Sequence, residues 1–387
     1  MEWKKLFNNY TGLIEEKFDD LTFRLRRRLR LNDPVQIVPY RSYGTVNRLY
    51  LKGRVLEDKL IKPGSDKDTI LNNLVNMYKR FESDEIPGAV LKVSFQNQVH
   101  TLVTDEEGYF MINISPDSPL QLKDIWHEME IELESAPIPF TKGLKTTAEV
   151  LIPPFDAEYG IISDIDDTVV HTSATDVLAM SRTVFLNNAH SRMPFAGVSA
   201  FYKSLQLGKN GKRNNPFFYV SSSPWNMYDL LKDFLDLNEI PAGPLLLRDF
   251  GLQNNKFFSS GGHMGHKFKE IENILLTYPH LNFILIGDSG QEDPTIYQEV
   301  AKQYPGRILA IYIRNVQLPE RKKIAIKISE ELASENVEML IIDNAVEAAE
   351  HAAKLGLIVG ESIPEIETDK EQDKGELPGK ENLEVID

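Results

Sequence analysis

Residues 159–172 read YGIISDIDDTVVHT, an apolar run that leads directly into three aspartates. The run has the length and composition of a buried strand, and Asp164, Asp166 and Asp167 follow it at once. Neighbouring carboxylates repel one another, and each resists losing its hydration on burial. The stretch therefore predicts a strand whose carboxyl end holds a positively charged partner for these side chains.

From residue 155 onward the sequence alternates short apolar strands with amphipathic helices. The predicted strands are GIIS, FFYVS, PLLLR, FILIG, ILAIYI and MLIID, and helical patterns separate most of them. Solidly apolar strands between helices are typical of a parallel sheet that is covered on both faces. Ligands bind such sheets beyond the carboxyl ends of the strands. We therefore expect a doubly wound, mostly parallel α/β domain over residues 155–360, with its site at that edge.

Polar side chains gather at these predicted strand ends. A cluster of carboxylates without histidine or cysteine ligands is a hard-oxygen site, which suits Mg²⁺. Such a cation offsets the repulsion and binds phosphate oxygens, and a carboxylate in line with phosphorus can attack it. The residues alone thus predict phosphoryl transfer from a phosphomonoester and do not identify the rest of the substrate. The candidates are Asp164, Asp166, Thr168, Ser221, Ser222, Ser223, Arg248, Lys267, Lys269, Asp288, Glu292 and Asp293.

Five motifs in this order resemble those of a known enzyme family. They are SDIDDTVVHT, YVSSSPWNMY, LLLRDFG, HKFKEIENILLTYP and FILIGDSGQEDPTIY. The D-x-D-x-T pattern resembles that of the haloacid-dehalogenase-like (HAD-like) phosphohydrolases. The longer motifs are similar to the catalytic domain of the actin-patch phosphatidate phosphatase family. The resemblance covers about residues 155–357, and residues 40–154 resemble more weakly the β-rich region that precedes this domain.

The resemblance implies a magnesium-dependent phosphatase with a covalent intermediate. Asp164 is then the nucleophile that becomes an aspartyl-phosphate, and Asp166 is the general acid and afterwards the general base. The implied Mg²⁺ ligands are Asp164, the backbone carbonyl of Asp166, and Asp288, with Asp293 as an outer or water-mediated partner of the metal. The leading substrate is phosphatidate, which would yield diacylglycerol and phosphate at a membrane surface.

The same resemblance assigns contacts with the substrate. Ser221 directly follows the apolar run and is the choice for the phosphate-binding hydroxyl, with Ser222 as its rival. Lys267 is the choice for the phosphate-binding cation, with Lys269 as its rival. The remaining predicted substrate-binding residues are Thr168 and Ser222. Arg248 is a further candidate because it lies near a strand end, with a packing role as the alternative.

Three further regions flank the predicted α/β domain. Residues 1–39 form an amphipathic segment that contains FRLRRRLRL; residues 1–31 are a candidate contact with an anionic membrane, and a solvated arginine face is the alternative. Residues 40–154 show the alternating strands of a β-sandwich-like domain, interrupted by a helical pattern near residues 70–81. Residues 361–387 contain ten acidic and three basic residues and are predicted to be a disordered tail.

Composition limits the classes of function. The formal net charge of −15 argues against nonspecific binding of nucleic acid. The chain has no cysteine, which excludes disulfides, thiolate zinc sites and a cysteine nucleophile. It lacks a run of eighteen apolar residues, and its N-terminus does not resemble a secretory signal. We therefore expect a cytoplasmic protein, with peripheral membrane contact as its closest association with lipid.

Two alternative functions stay open at this point. A phosphatase for a soluble phosphoester or a phosphoprotein would use the same set of residues. A scaffold would bind protein partners through the β-sandwich-like domain, partners that the sequence does not identify, and would leave the site idle. Every predicted catalytic position carries a competent side chain, which favours an enzyme over an idle scaffold.

Overall fold

The computed structural model describes residues 35–57, 85–120, 124–166, 168–169, 195–248, 262–316 and 318–376. The arginine-rich segment, the predicted helix near residues 70–81, Asp167 and the end of the acidic tail lie outside these ranges. What the sequence predicts for those stretches stays a prediction.

The first part of the described chain forms a mainly antiparallel sheet of eight strands. In β4, Leu91, Val93 and Phe95 are buried, whereas Lys92 and Ser94 between them are partly exposed, as the alternating sequence predicted. Core residues come from both ends of the strand path, so the sheet closes around one apolar interior. The strands are β1 (Val35–Pro39), β2 (Ser42–Thr45), β3 (Arg48–Glu57), β4 (Val90–Phe95), β5 (Gln98–Val103), β6 (Tyr109–Ile114), β7 (Trp126–Ser135) and β8 (Lys145–Leu151), in the order β1-β3-β2-β8-β7-β4-β5 with β6 paired to β3.

The second part is an α/β domain built on six parallel strands, and each of the six predicted strands is present. The strands are β9 (Gly160–Ser163), β10 (Phe217–Pro224), β11 (Leu245–Arg248), β12 (Phe283–Asp288), β13 (Ile308–Arg314) and β14 (Met339–Ile342). The helices are α1 (Val198–Leu207), α2 (Tyr228–Leu237), α3 (Gly262–Thr277), α4 (Asp293–Gln303), α5 (Pro319–Ala333), α6 (Ala345–Lys354) and α7 (Ile363–Glu376).

Helices cover both faces of this parallel sheet. One apolar core joins the sheet to α1, α2, α6 and α7 and contains Phe201, Leu231, Ala349 and Ile366. The other core joins the sheet to α3, α4 and α5 and contains Ile271, Val300, Ala325 and Leu332. Because both faces are covered, the central strands β9 and β12 are buried at every position, which explains why their sequences are continuously apolar rather than alternating.

The strand order places a topological switch point at β9. The chain runs from β9 outward through β10 and β11, then returns to add β12, β13 and β14 on the other side of β9. Neighbouring strands β9 and β12 are in register, with Ser163 paired to Ile286, so both point their carboxyl ends at the same edge. Parallel sheets bind ligands in the crevice at such a point.

The predicted disordered tail is wrong for residues 361–376, because α7 follows a 3-10 turn at Gly360–Ser362 and packs on the α/β domain. Ile366 is fully buried. The carboxylates of Asp373 and Asp369 accept hydrogen bonds from the backbone N–H groups of Gly197 and Ala200, at the start of α1. Those N–H groups have no partner within their own helix, and the positive end of the helix dipole favours carboxylates there. A few well-placed contacts thus order a segment whose composition is typical of disorder.

The two parts of the chain meet through aromatic and charged side chains. Tyr40, which follows β1, stacks on Trp225 with ring centroids 4.4 Å apart, and Lys52 Nζ lies 4.2 Å from the centroid of the same indole. Tyr278, directly after α3, donates a hydrogen bond to the Gly44 carbonyl at 2.9 Å. Trp225 begins a 3-10 turn directly after β10, so the antiparallel sheet contacts the end of a strand that carries three predicted site residues.

Replacing Arg41 tests this interface. Its guanidinium donates to both Asp236 oxygens, at 3.0 and 3.4 Å, and to Glu149 at 3.0 Å. Asp236 is 38% exposed, so solvent screens part of the interaction. We expect Arg41→Ala to lower the free energy of unfolding in urea by about 1–2 kcal/mol. The control is Lys302→Ala at an exposed position of α4, which should change it by less than about 0.5 kcal/mol; equal effects of the two would contradict the assigned contact.

Candidate active site

Three buried carboxylates meet at the switch point. Asp164 follows β9, Asp288 ends β12 and Asp293 begins α4, and none is more than 1% exposed. One oxygen from each lies within 4.8 Å of the others. The backbone N–H of Asp164 donates to the carbonyl of Ile286 at 2.8 Å, which ties the end of β9 to β12. Asp164 and Asp288 are therefore close enough for both to bind one ion, which the metal site predicted from the sequence requires.

Lys267 of α3 places a buried ammonium beside these carboxylates. Its Nζ donates to Asp293 Oδ1 at 2.6 Å and lies 3.0 Å from Asp164 Oδ1. Burial raises the pKa of Asp164 well above its usual range, and the positive charge of Lys267 only partly counteracts this. Burial lowers the pKa of Lys267, but the attraction of the three carboxylates outweighs burial, and the net shift is upward. The single positive charge of Lys267 thus compensates only part of the negative charge that the three ionised carboxylates would carry.

The donor set fits a divalent metal ion. The Lys267 ammonium is close to Asp164 but is not aligned for a hydrogen bond, and both Asp164 oxygens are buried without a hydrogen-bond donor among the described residues. A cation would satisfy buried carboxylate oxygens in this state, and an all-oxygen set suits Mg²⁺. Gly287 leaves room for the Asp293 carboxylate beside β12, since a Cβ at position 287 would lie 2.6 Å from Asp293 Oδ2.

Asp166 is held on the other side of the site by two serines. Its Oδ2 accepts hydrogen bonds from Ser221 Oγ at 2.8 Å and Ser223 Oγ at 2.9 Å. Ser221 Oγ in turn accepts from the Ser223 backbone N–H at 2.9 Å. The side chains of Asp166, Ser221 and Ser223 are all buried. Asp166, the predicted general acid, is therefore hydrogen-bonded to the strand that carries Ser221, the predicted phosphate-binding residue.

The rival residues differ in their surroundings. Ser221 is fully buried and contacts Asp166, whereas its rival Ser222 is half-buried. Lys267 is 3% exposed among the carboxylates, whereas Lys269 is exposed to solvent. Ser223 was a candidate without an assigned role. Side chains at positions i and i+2 of an extended strand lie on the same side, so Ser223 is expected beside Ser221, and this alternation was the signal in the sequence.

The remaining predicted substrate contacts lie at the same edge. Thr168 is 2% exposed, and its hydroxyl has no hydrogen-bond partner among the described residues. Arg248 ends β11 and is half-buried, close enough to His266 to disfavour protonation of that ring. Arg314, which the sequence reading passed over, ends β13 opposite Asp288 and places a buried guanidinium 4.0 Å from the Phe195 ring. The signal for Arg314 in the sequence was its position as a charged residue at the end of an apolar strand.

Taken together, a parallel α/β sheet with buried carboxylates, a lysine and two serines at its switch point has the donor set of a metal-assisted phosphoryl-transfer domain. Residues 159–315 match the family model described as "Phosphatidate phosphatase APP1, catalytic domain". This match agrees with the resemblance that the motifs indicated.

Two relatives extend this finding. The segment is 41% identical over 158 residues to phosphatidate phosphatase APP1 of Saccharomyces cerevisiae and 30% identical over 158 residues to an uncharacterised protein of Schizosaccharomyces pombe. Each alignment covers 40% of this chain and 25% of the relative, so the chain spans about a quarter of the length of the curated relatives it matches. The crystal structure of a carbohydrate acetylesterase from Xanthomonas citri is 12% identical, covering 79% of this chain and 68% of that one with a TM-score of 0.27, a likeness too low to carry an argument.

Metal binding at the three carboxylates has a measurable effect on stability. We expect Mg²⁺ to raise the melting temperature of the parent protein, because a ligand that binds only the folded state stabilises it, by about 2.7 kcal/mol at 100 times its dissociation constant. Asp288→Asn should remove the shift. Glu299→Gln, which alters an exposed carboxylate of the same helix α4, is the matched control and should keep it. A shift that Asp288→Asn leaves unchanged would place the ion elsewhere.

His266 provides a pH-dependent test of burial beside the site. Burial, helped by the charge of Arg248, lowers its pKa to about 4. Because the unfolded imidazole has a pKa of about 6.5, the unfolded state binds the proton first as the pH falls, and the stability present above pH 6.5 is lost down to about pH 4. Relative to His266→Gln, the parent should lose about 2 kcal/mol of unfolding free energy between pH 7.5 and pH 5. Parallel stability curves for the two proteins would show that His266 titrates normally.

Proposed function

We propose that the α/β domain is a magnesium-dependent phosphatase of the HAD-like type that acts through an aspartyl-phosphate at Asp164. The observation that carries this proposal is the buried group of Asp164, Asp288 and Asp293 around Lys267, at the switch point of a domain of this family. The name of the yeast relative, a phosphatidate phosphatase, supports phosphatidate as the substrate and diacylglycerol and phosphate as the products.

The residues divide the reaction between two sides of the site. A bound Mg²⁺ supplies positive charge that keeps the carboxylates ionised and binds phosphate oxygens. A carboxylate oxygen of Asp164 attacks phosphorus, the bond from phosphorus to the leaving oxygen breaks, and Asp166 donates a proton to that oxygen. Asp166 then removes a proton from water, the water oxygen attacks phosphorus, and the bond from phosphorus to Asp164 breaks. Asp164 is thereby restored and inorganic phosphate is released.

Lys267 contributes positive charge throughout. Asp164 must be ionised to attack, and its burial alone favours the protonated form. The ammonium 3.0 Å away favours the ionised form and offsets charge on the transferring phosphoryl group. Ser221 and the buried hydroxyl of Thr168 are donors for the phosphate oxygens, and Arg248 lies at the same edge of the sheet.

The substrate is phosphatidate in this proposal, which requires the enzyme to act at a lipid surface. None of the described helices has the length and the apolar composition to span a bilayer. Contact with the membrane is proposed as peripheral, through the arginine-rich segment at residues 1–31, because its sequence is amphipathic and basic. Residues 40–154 are proposed as a separate β-sandwich-like domain that contacts the end of β10.

A substrate panel tests the proposal. Phosphate release is measured from phosphatidate in mixed micelles, from glycerol 3-phosphate and from a phosphoserine peptide, with Mg²⁺ and with chelator. We expect magnesium-dependent release from phosphatidate. Asp164→Asn should lower the rate by on the order of 10⁴-fold, since it removes the nucleophile. Asp156→Asn, which changes an exposed carboxylate that pairs with Lys212, is the matched control and should keep the parent rate.

The panel also separates the alternatives. Release from the soluble esters or the peptide with none from phosphatidate would replace the lipid substrate and keep the reaction. No release from any ester by the parent protein, with or without Mg²⁺, would favour a scaffold with an idle site.

A further inference from the structure

We propose that Ser223 is a positioning residue that keeps Asp166 in place while Ser221 turns to the substrate phosphate. This inference rests on the proposed phosphatase reaction and concerns a residue that neither the motifs nor the comparisons assign. The observation behind it is that two buried hydroxyls, Ser221 Oγ at 2.8 Å and Ser223 Oγ at 2.9 Å, donate to the same oxygen of Asp166.

Hydrogen counting shows why two serines are needed. A serine hydroxyl has one proton to donate. Ser221 donates that proton to Asp166 in this structure, so it cannot donate to a phosphate oxygen at the same time. When Ser221 turns to the phosphate, Asp166 loses one of its two donors. Ser223 Oγ then remains as the hydrogen bond that fixes the carboxyl group.

The same contact assigns different tasks to the two carboxyl oxygens of Asp166. Oδ2 accepts both serine hydroxyls and is occupied as an acceptor. The proton that Asp166 donates to the leaving oxygen is therefore carried on Oδ1. In the first step the bond from Asp164 to phosphorus forms, the bond from phosphorus to the leaving oxygen breaks, and this proton moves from Oδ1 to the departing alkoxide. Without Ser223, rotation of the carboxyl group would exchange the two oxygens and misplace the proton.

The position of Ser223 is itself fixed by the surrounding structure. Its backbone N–H donates to Ser221 Oγ at 2.9 Å, so one residue orients both Ser221 and Asp166. Two residues further on, Trp225 is held between Tyr40 and Lys52 of the antiparallel sheet. The strand end to which Asp166 is hydrogen-bonded is thus also contacted by residues outside the α/β domain. This support suits a positioning role for Ser223.

Two substrates with different leaving groups test the inference. An alkyl phosphate such as phosphatidate or glycerol phosphate needs a proton on its leaving oxygen, whereas 4-nitrophenyl phosphate releases a stable phenolate without one. The quantity kcat/KM reports the steps up to release of the leaving group. A general acid contributes about 10²–10⁴-fold. We therefore expect Ser223→Ala to lower kcat/KM for the alkyl phosphate by about 10–100-fold and for the aryl phosphate by less than about threefold.

Conservative and distant variants complete the design. Ser223→Thr keeps the hydroxyl and should restore most of the activity with the alkyl phosphate. Ser204→Ala removes another buried serine hydroxyl, one that donates to the carbonyl of Ala200 in its own helix, and should leave both values unchanged. The melting temperature with and without Mg²⁺ shows whether Ser223→Ala folds and keeps its metal site.

The outcomes separate this inference from the proposed function. Equal losses with both substrates would make Ser223 a structural residue, and no loss with either would make Ser221 sufficient; each result overturns the inference while the phosphatase function stands. A parent protein that hydrolyses neither ester overturns the function and the inference together. A loss confined to the alkyl phosphate, with rescue by Ser223→Thr, supports both.

Discussion

Three carboxylates and one ammonium share a buried space at the edge of the parallel sheet, and this imbalance of charge is the constraint on which the site depends. Carboxylates avoid such positions unless positive charge compensates them. Lys267 compensates part of the charge, and the orphaned oxygens of Asp164 call for more. The strands β9 and β12 bring the groups together, and Gly287 leaves room for Asp293. The same arrangement that is costly in the folded protein alone is the one that would hold a metal ion and a phosphate in the proposed reaction.

Much of the α/β domain follows from local sequence, because buried parallel strands are continuously apolar and carry their functional side chains where they end. This rule identifies the six strands and brings Asp164, Ser221 and Asp288 to one edge. Helix geometry also accounts for the burial of Lys267 and the exposure of Lys269. Lys267, Ile271 and Ile274 recur at four- and three-residue spacing, and all three are buried. Lys269 lies off this face and is exposed.

Other features depend on distant parts of the chain and have no local signal. Residues 361–376 look disordered by composition, yet they form α7 because Ile366 finds a core and two aspartates find the start of α1. The contact between Tyr40 and Trp225 joins residues far apart in sequence. Through it, the mainly antiparallel sheet contacts the strand end that carries Ser221 and Ser223. Sequence patterns within one element cannot reveal such pairings, since each side alone is only an aromatic residue near a turn.

The segment that this chain shares with its relatives is smaller than the unit that folds. The family match stops at residue 315, directly after β13, whereas β14 pairs with β13 and α5, α6 and α7 complete the two layers over the sheet. A protein cut at that boundary would bare one flank of β13 and uncover Ala310 and Tyr312 of the core. It would also deprive Gly197 and Ala200 of their carboxylate acceptors. The family match thus covers the residues of the candidate site, whereas the boundaries of the folded domain depend on which elements are needed to bury its apolar surfaces.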